Sequence, residues 1–346
     1  MKHLIQLMPW LEETARRVVI IPHQQPDADA FGSGLALWHW LRAKGHTVAV
    51  VSPTDFPRFL EWMPGCSQIL SFPKQPEAVK TAFAEAELFV CVDFSARNRM
   101  KPLHKVLDQY PDTPIALIDH HRGKEDFADY EFWDIEAAAT AQLVYDFLGM
   151  VEQQAYITPE IASLLYAGIL TDTGSFKHGN TTPHVHRVVA DLMERGADAG
   201  HIHRLIFDNG REQRLRFLGY ALWQKLTVLP QYHTAFFAIS ADDLKKFSSQ
   251  NGDTEGLVNY ALSIEGIYLA ATFIEKDDNE IKISLRSVGD FSVADMATQH
   301  FEGGGHKNAA GGERKGASLQ QVVDQFTQLL PGCEAALEQV HRQESS

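Results

Sequence analysis

Between residues 18 and 34 the chain reads VVIIPHQQPDADAFGSG, an apolar run that gives way at once to a histidine and two aspartates. Val18 to Ile21 is a β-branched stretch of the kind that forms a fully buried strand, and Pro22 is expected to end it. His23 then stands at a strand's C-terminal end. Asp27 and Asp29 follow in a turn marked by Pro26, and at that spacing each can reach a different cation from one loop. Gly32, Ser33 and Gly34 are expected to open a helix. In open α/β sheets ligands collect outside the carboxyl ends of strands, where helix N-termini also favour anions. The pattern recurs: Leu88 to Val92 ends in Asp93, and Pro114 to Ile118 ends in Asp119, His120 and His121. A carboxylate there is desolvated and needs a partner, which sets these endings apart from ordinary caps and turns. Asp172, just past Ile169 and Leu170 in GILTDTGSF, is a further candidate ligand. His178, His184, His186, His201 and His203 are read as solvated or capping histidines outside the site.

Aspartates and histidines converging at one sheet edge would repel one another without compensation. Two divalent cations supply it, since Asp27, Asp29, Asp93 and Asp172 carry four negative charges against their four positive ones. Carboxylate and imidazole ligands without thiolate favour Mn²⁺, Mg²⁺ or a similar ion over structural zinc. Two such ions a few ångströms apart can activate a shared water and stabilise a phosphoryl group under attack. Phosphoester hydrolysis is the reaction that suits this arrangement.

The elements that must position these residues alternate. Leu35 to Lys44 reads as a helix ended by Gly45, and Thr47 to Val51 as the next strand, which makes a β-α-β unit. Ser52 to Gly65, with three prolines and the aromatics Phe56, Phe59 and Trp62 expected to be exposed, reads as a loop with a short helix. Helices are expected at Pro76 to Glu87, Thr140 to Leu148, Pro159 to Leu170 and His184 to Arg195. From Ala197 to Gln224 the text is helical and strongly charged, which suits a connector. Beyond it the β-α-β repeat does not resume. Strands are expected at Tyr232 to Ile239, Ile267 to Glu275 and Glu280 to Ser287, with a hairpin turn in EKDDNE and helices between and after, an α+β arrangement. It contains GGGHKNAAGG at 303–312, and the polar tail after Leu330 is expected to fray.

At 346 residues the chain has room for two domains. A composition 45% hydrophobic and 22% charged is that of an ordinary globular protein. The N-terminus lacks a long apolar region before a small-residue cleavage site, and no run approaches a membrane-spanning length, so a cytoplasmic protein is expected. Cys66, Cys91 and Cys333 are widely separated, which indicates neither a disulfide framework nor a thiolate zinc site. Cys91 reads as a buried thiol. A net charge of −14 disfavours gripping long nucleic acid, whose binding depends on neutralising many phosphates. A short oligonucleotide or mononucleotide is compatible with it.

HQQPDADAFGSG, the VDFS containing Asp93, DHH at 119–121 and LTDTGSF resemble the motifs of the DHH phosphoesterase family, and KISLRS with GGGHKNAAGG resembles its associated DHHA1 domain. The resemblance spans nearly the whole chain and is strongest to the NrnA-type subfamily. It implies an α/β fold with a mainly parallel-sheet, Rossmann-like DHH catalytic domain over 1–190, a helical linker over 191–220 and a smaller α+β DHHA1 substrate-binding domain over 221–346. It implies a hydrolase, a phosphodiesterase or exoribonuclease that degrades very short RNA and also acts as a 3'(2'),5'-bisphosphate nucleotidase, taking 3'-phosphoadenosine 5'-phosphate to AMP. Two divalent cations are implied, Mn²⁺ foremost, with Mg²⁺ or Co²⁺ compatible. One would be held by His23, Asp27 and Asp93, the other by Asp29, Asp93, His120 and Asp172, with Asp93 bridging. His121 would lie near the substrate phosphate and Asp119 would orient the histidines. Arg286, Ser287, Gly303, Gly304, Gly305 and His306 would bind substrate, Arg286 as a two-point phosphate clamp and the glycines by letting backbone amides approach. EAAATAQL at 136–143 departs from the serines and glutamate expected of many relatives, and is read as lying off the ligand set. The partners implied are short RNA and small nucleotides, with no membrane and no long duplex, and both monomer and homodimer stay open. A cyclic or linear dinucleotide phosphodiesterase, a pyrophosphatase and a single-strand DNA exonuclease are the alternatives within the family. A non-catalytic nucleotide sensor should have lost a ligand, and none is missing here.

Overall fold

Leu88–Val92 is apolar at every position and buried at every position, which a strand achieves only with cover on both faces. It lies at the centre of a seven-stranded sheet. The strands are β1 (Lys2–His3), β2 (Arg17–Pro22), β3 (Thr47–Ser52), β4 (Leu70–Ser71), β5 (Leu88–Val92), β6 (Ile115–Asp119) and β7 (Tyr130–Trp133), in the spatial order β1-β7-β6-β5-β2-β3-β4. All its pairings are parallel, with Val18 opposite Leu88 and Phe89 opposite Ile115 in the middle of the sheet. This computed structural model describes residues 2–250, 252–276 and 280–344. The chain divides into two units, Met1–Asn209 and Gly210–Ser346.

The helices of the first unit are α1 (Met8–Glu13), α2 (Ala28–Ala43), α3 (Pro76–Glu85), α4 (His104–Leu107), α5 (Thr140–Met150), α6 (Pro159–Asp172), α7 (Pro183–Glu194) and α8 (Ala199–Phe207). Successive strand residues point to opposite faces. Val18, Ile20, Val90, Val92 and Ile118 therefore pack with Phe31 and Leu35 of α2, Val144 of α5 and Leu164 of α6. Val19, Ile21, Phe89, Cys91 and Leu117 pack with Val79 and Phe83 of α3 and Leu107 of α4. Burial pushes the Cys91 thiol up to about 12, so it is an inert core group. From β2 the chain winds outward to β4, returns to β5 and winds the other way. The sheet's reversal point thus lies between β2 and β5, whose C-terminal ends carry His23 and Asp93.

Several local expectations are corrected. Strand β2 runs one residue further than expected and ends with Pro22 itself, opposite Val92. Helix α2 begins at Ala28 because Asp27 caps it, its Oδ1 accepting from the amides of Asp29 and Ala30 at 3.0 Å each. Asp29 therefore stands in a first helical turn and not in a loop, and Gly32 to Gly34 lie inside the helix. Phe56, Phe59 and Trp62 are half-buried against the core, Phe56 edge-on to Phe31 at 4.8 Å.

After α9 (Glu212–Tyr220) and a π-helical turn at Ala221–Lys225, the second unit forms a six-stranded mixed sheet. Its strands are β8 (Leu226–Leu229), β9 (Thr234–Ile239), β10 (Leu269–Glu275), β11 (Glu280–Ser287), β12 (Gly304–His306) and β13 (Ala309–Lys315), in the order β12-β13-β11-β10-β9-β8. Strands β9 and β10 run parallel and the other neighbours antiparallel. Its helices are α10 (Ala241–Lys246), α11 (Leu257–Leu262), α12 (Val293–His300) and α13 (Leu319–Glu344). Glu275 pairs with Ile281 across β10 and β11, while the turn expected in EKDDNE falls on 277–279, outside the described residues. Among the described residues, no helix is long and apolar enough to cross a membrane.

The tail expected to fray is instead the second half of α13, which continues through Pro331 to Glu344. Leu330, Leu337 and Val340 recur on one face and are buried, and Glu338 and His341 reach His233 and the Tyr268 hydroxyl at 3.1 and 3.0 Å. Leu337→Ala should lower the stability of this unit by about 2–5 kcal/mol, read as a lower denaturant midpoint by circular dichroism. A frayed tail would leave the midpoint where it was.

Candidate metal centre

Three parallel strands deliver their polar C-terminal residues to one edge. His23 follows β2, Asp93 follows β5, and Asp119, His120 and His121 end or follow β6. Asp27 caps α2, Asp29 sits in its first turn, and Asp172 is the last residue of α6. Asp93 has a left-handed backbone, φ +66°, a conformation aspartate tolerates better than most residues. Its amide still donates to the Ile118 carbonyl at 3.0 Å, so the strand is held while the side chain turns out.

The donor atoms gather in overlapping groups. His23, Asp27 and Asp93 form one, Asp29, His120 and Asp172 a second, and Asp93, Asp119 and His121 a third, with the donor atoms of each group within 4.8 Å of one another. His23 Nε2 lies 3.6 Å from Asp27 Oδ2 and 3.4 Å from Asp93 Oδ2, and its Nδ1 is 2.8 Å from the Gln24 carbonyl. His120 Nε2 lies 3.2 Å from Asp172 Oδ2, 3.6 Å from Asp93 Oδ1 and 3.9 Å from Asp29 Oδ2. Its Nδ1 is 3.1 Å from the Ala137 carbonyl, which sets the ring so that Nε2 faces the carboxylates. Asp119 Oδ1 lies 2.8 Å from His121 Nδ1. Asp119 thus orients His121, whereas His120 is oriented by the backbone of the 136–143 segment.

None of that segment's residues belongs to these groups, yet it lies directly against them. The Thr140 hydroxyl donates to Asp93 Oδ1 at 2.8 Å, and the amides of Thr140 and Ala141 donate to Asp29 Oδ2 and Oδ1 at 2.6 and 2.8 Å. Helix α5 has no cap from its own N-cap residue, Ala139. Asp29 takes that part from another helix, a carboxylate at the positive end of a helix dipole. Room for it comes from Gly168 of α6, where a Cβ would come within 2.7 Å of Asp29 Oδ1 and of the Ala141 Cβ. The one sequence signal for this role was the alanine run before a helix start.

Electrostatics follow the crowding. Burial drives the Asp29 carboxyl well above its usual range, and the neighbouring Asp93 and Asp172 carboxylates add to it. Burial also works to raise Asp93, but the hydrogen bond from His23 and the nearby histidine charges overcome it and hold it well below normal. Burial would lower His23, yet the Asp27 and Asp93 carboxylates carry it up to about 10. His120 is likewise raised against its burial, by Asp172 foremost. Protons are thus drawn into a cluster of hard oxygen and imidazole donors, the set that suits a divalent cation. The structure therefore fits the metal its donors imply.

The histidines set aside stay outside these groups. His178 Nδ1 lies 3.2 Å from the Asp172 carbonyl, His184 Nε2 2.8 Å from Asp146 Oδ1 and His203 Nδ1 3.4 Å from Asp208 Oδ2, while His186 lies by the Phe176 ring and His201 is in the first turn of α8. In the second unit, Arg286 is opposite Ala309 and Ala309 opposite His306, so Arg286 and His306 share a sheet face with a methyl group between them. Ser287 points to the other face, is buried, donates to the Phe291 carbonyl at 2.6 Å and accepts from Asn308 at 2.9 Å. A Cβ on Gly303 would meet the Gly311 carbonyl, and one on Gly305, at φ +147°, the Ala309 carbonyl. Strand packing alone therefore requires glycine at 303 and 305, while Gly304 has space above it.

Chelator-treated protein should melt lower than protein supplied with Mn²⁺ or Mg²⁺, by about 2.7 kcal/mol per site at a hundredfold excess over Kd. Asp172→Asn should shrink that increment without lowering the ion-free melting point, because it removes one of several crowded carboxylates. Calorimetric scans with and without ion check this, and an equal increment in both proteins would show that Asp172 is no donor.

Two family models match the chain: "DHH family, N-terminal domain" over residues 17–169 and "DHHA1 domain" over residues 231–331. A bifunctional oligoribonuclease and PAP phosphatase, NrnA, of Thermus thermophilus is 31% identical over 317 residues, which is 90% of this chain and 89% of that protein. The Bacillus subtilis protein of the same name is 25% identical over 299 residues, 85% of this chain and 88% of its own length. Among solved structures, an exopolyphosphatase-related protein from Bacteroides fragilis has a TM-score of 0.90 and 33% identity, covering 96% of this chain and 97% of that one. Both domain models in this order, with 31% identity sustained along 90% of the chain, make this protein a member of the DHH family that carries a DHHA1 domain.

Proposed function

We propose that this chain is a metal-dependent phosphoesterase that hydrolyses very short oligoribonucleotides to mononucleotides and 3'-phosphoadenosine 5'-phosphate to AMP. The observation that carries the reading is the convergence of carboxylate and imidazole donors at the reversal point of a parallel sheet, where such folds bind ligands. The names of the relatives from Thermus thermophilus and Bacillus subtilis supply the substrate classes.

Two cations are proposed, Mn²⁺ foremost, one held by His23, Asp27 and Asp93 and the other by Asp29, Asp93, His120 and Asp172. When bound, they supply a water deprotonated near neutral pH and positive charge for a phosphoryl group under attack. Asp93 is suited to serve both, because its Oδ2 faces His23 and its Oδ1 faces His120. Asp119 fixes the His121 ring through Nδ1, which directs Nε2 to a phosphate oxygen or the leaving group. In the second unit, Arg286 and His306 flank Ala309, and the next row places Ser284 opposite Gly311 and Gly311 opposite Gly304. This floor of small side chains between a guanidinium and an imidazole suits a flat base or a phosphate, with the Gly304 backbone open to approach. The −14 net charge favours short chains over long ones.

The direct test offers purified protein and Mn²⁺ a panel of substrates: RNA of two to five nucleotides, RNA of tens of nucleotides, 3'-phosphoadenosine 5'-phosphate, cyclic dinucleotides and tripolyphosphate. Short RNA and the bisphosphate should turn over fastest. Equal rates on dinucleotides and long RNA would contradict the reading, and a preference for tripolyphosphate would replace it. Asp93→Asn should fold, since asparagine tolerates a left-handed backbone, but lose bound metal and measurable turnover together. Arg286→Ala and His306→Ala should keep metal and still cleave bis-p-nitrophenyl phosphate slowly. On dinucleotides they should lose roughly tenfold to a thousandfold in kcat/KM, equal to about 1.4–4 kcal/mol. Parent-like rates would remove both residues from substrate binding.

A further inference from the structure

Asp29 is fully buried, and its hydrogen bonds leave it little to offer a cation. Oδ1 accepts from the Ala141 amide at 2.8 Å and from the Ser33 hydroxyl at 3.3 Å, and Oδ2 accepts from the Thr140 amide at 2.6 Å. A carboxylate oxygen has about two lone-pair directions. Oδ1 is therefore filled, and Oδ2 keeps one direction, on the side of His120 Nε2, 3.9 Å away. Asp29 can give a cation one oxygen and cannot chelate it with two.

The same helix start acts on Asp93. The Thr140 hydroxyl donates to Asp93 Oδ1 at 2.8 Å, and what remains of Oδ1 faces His120 Nε2 at 3.6 Å, while Oδ2 faces His23 Nε2 at 3.4 Å. Holding Oδ1 in this way keeps one oxygen turned to each side. Without the hydroxyl, the carboxylate can rotate until both oxygens face one side. Thr140 is itself fully buried at the start of α5, so its hydroxyl is a fixed constraint.

We propose that Thr140, assisted by Ser33, is a positioning residue that makes this centre select small six-coordinate cations over calcium. The inference rests on the reading above, that these carboxylates hold divalent ions. Asp29 Oδ2, Asp93 Oδ1 and His120 Nε2 would then each offer a single atom, beside Asp172 Oδ2, which lies 3.2 Å from His120 Nε2. Donors of this kind would suit an ion that takes few ligands and completes its shell with water. Magnesium-sized ions require six ligands in near-octahedral array, whereas calcium takes six to eight oxygens and commonly draws two from one carboxylate. A centre in which the Asp29 and Asp93 carboxylates are kept from chelating is therefore poor for calcium. The selection lies in hydrogen bonds behind the donors, with the donors themselves unchanged.

The test uses the full chain, stripped with chelator, as parent, Thr140→Val, Thr140→Ser and Ser33→Ala. Mn²⁺ and Ca²⁺ are titrated separately by calorimetry, and bound Mn²⁺ is followed by electron paramagnetic resonance during Ca²⁺ competition. The Mn²⁺-over-Ca²⁺ affinity ratio should fall roughly tenfold to a hundredfold in Thr140→Val and stay within about threefold of the parent in Thr140→Ser. Ser33→Ala should move it the same way by less. A merely structural role would weaken both ions together and leave the ratio alone, and that result in Thr140→Val overturns the proposal. Should Thr140→Val fail to fold, an unchanged ratio in Ser33→Ala overturns it instead. A parent that binds neither ion overturns the underlying reading of the site, an outcome distinct from a parent that binds Mn²⁺ while the variants discriminate as it does.

Discussion

Like charges held together out of water are the constraint around which the first unit is built. Asp29, Asp93 and Asp172 approach a common imidazole, and the first two are fully buried. In a medium that screens poorly, such a cluster is tolerated only with positive charge and donors on every side. The structure supplies them from different sources. The ends of β2 and β6 bring the histidines, α5 brings two amides and a hydroxyl, and a parallel sheet is the arrangement that puts all of these at one edge.

The packing of the helices serves the same end. Gly32 of α2 lies where a Cβ would come within 2.5 Å of the Leu164 carbonyl of α6, and Gly168 of α6 lies against Asp29. The two helices therefore meet backbone to backbone at the level of the carboxylates. Asp29 and Asp172, one from each helix, are set by a contact with no slack in it. A methyl group added there would press on the donors themselves.

Much of this was legible in the residues, and the reasons are physical. Runs such as Leu88–Val92 are buried on both faces, so hydrophobicity alone marks them, and the polar residue that follows is marked as a strand end. His23, Asp93 and His120 could be picked out as candidate donors for that reason, and the structure brings Asp27, Asp29 and Asp172 from helix ends beside them. Helix starts were harder. Asp27 is both cap and candidate donor, and reading it only as a donor placed the start of α2 too late. The part played by Thr140 and Ala141 was hidden because backbone amides carry it, and a backbone amide leaves no mark in the residue type. Strand β7 is half-buried throughout, with neither alternation nor a continuous apolar run to announce it. The end of α13 looked polar because only Leu337 and Val340 among its last residues are buried.

The donors are also spread unevenly along the chain, which gives the centre a history in time. His23, Asp27 and Asp93 can come together once β2 and β5 have paired, whereas the clamp on Asp29 waits for α5 and Asp172 for the end of α6. Chains are made at about 5–20 residues per second, so roughly 4 to 16 seconds of synthesis separate residue 93 from residue 172. Throughout that interval the amides that hold Asp29 and the hydroxyl that holds Asp93 are not all in place.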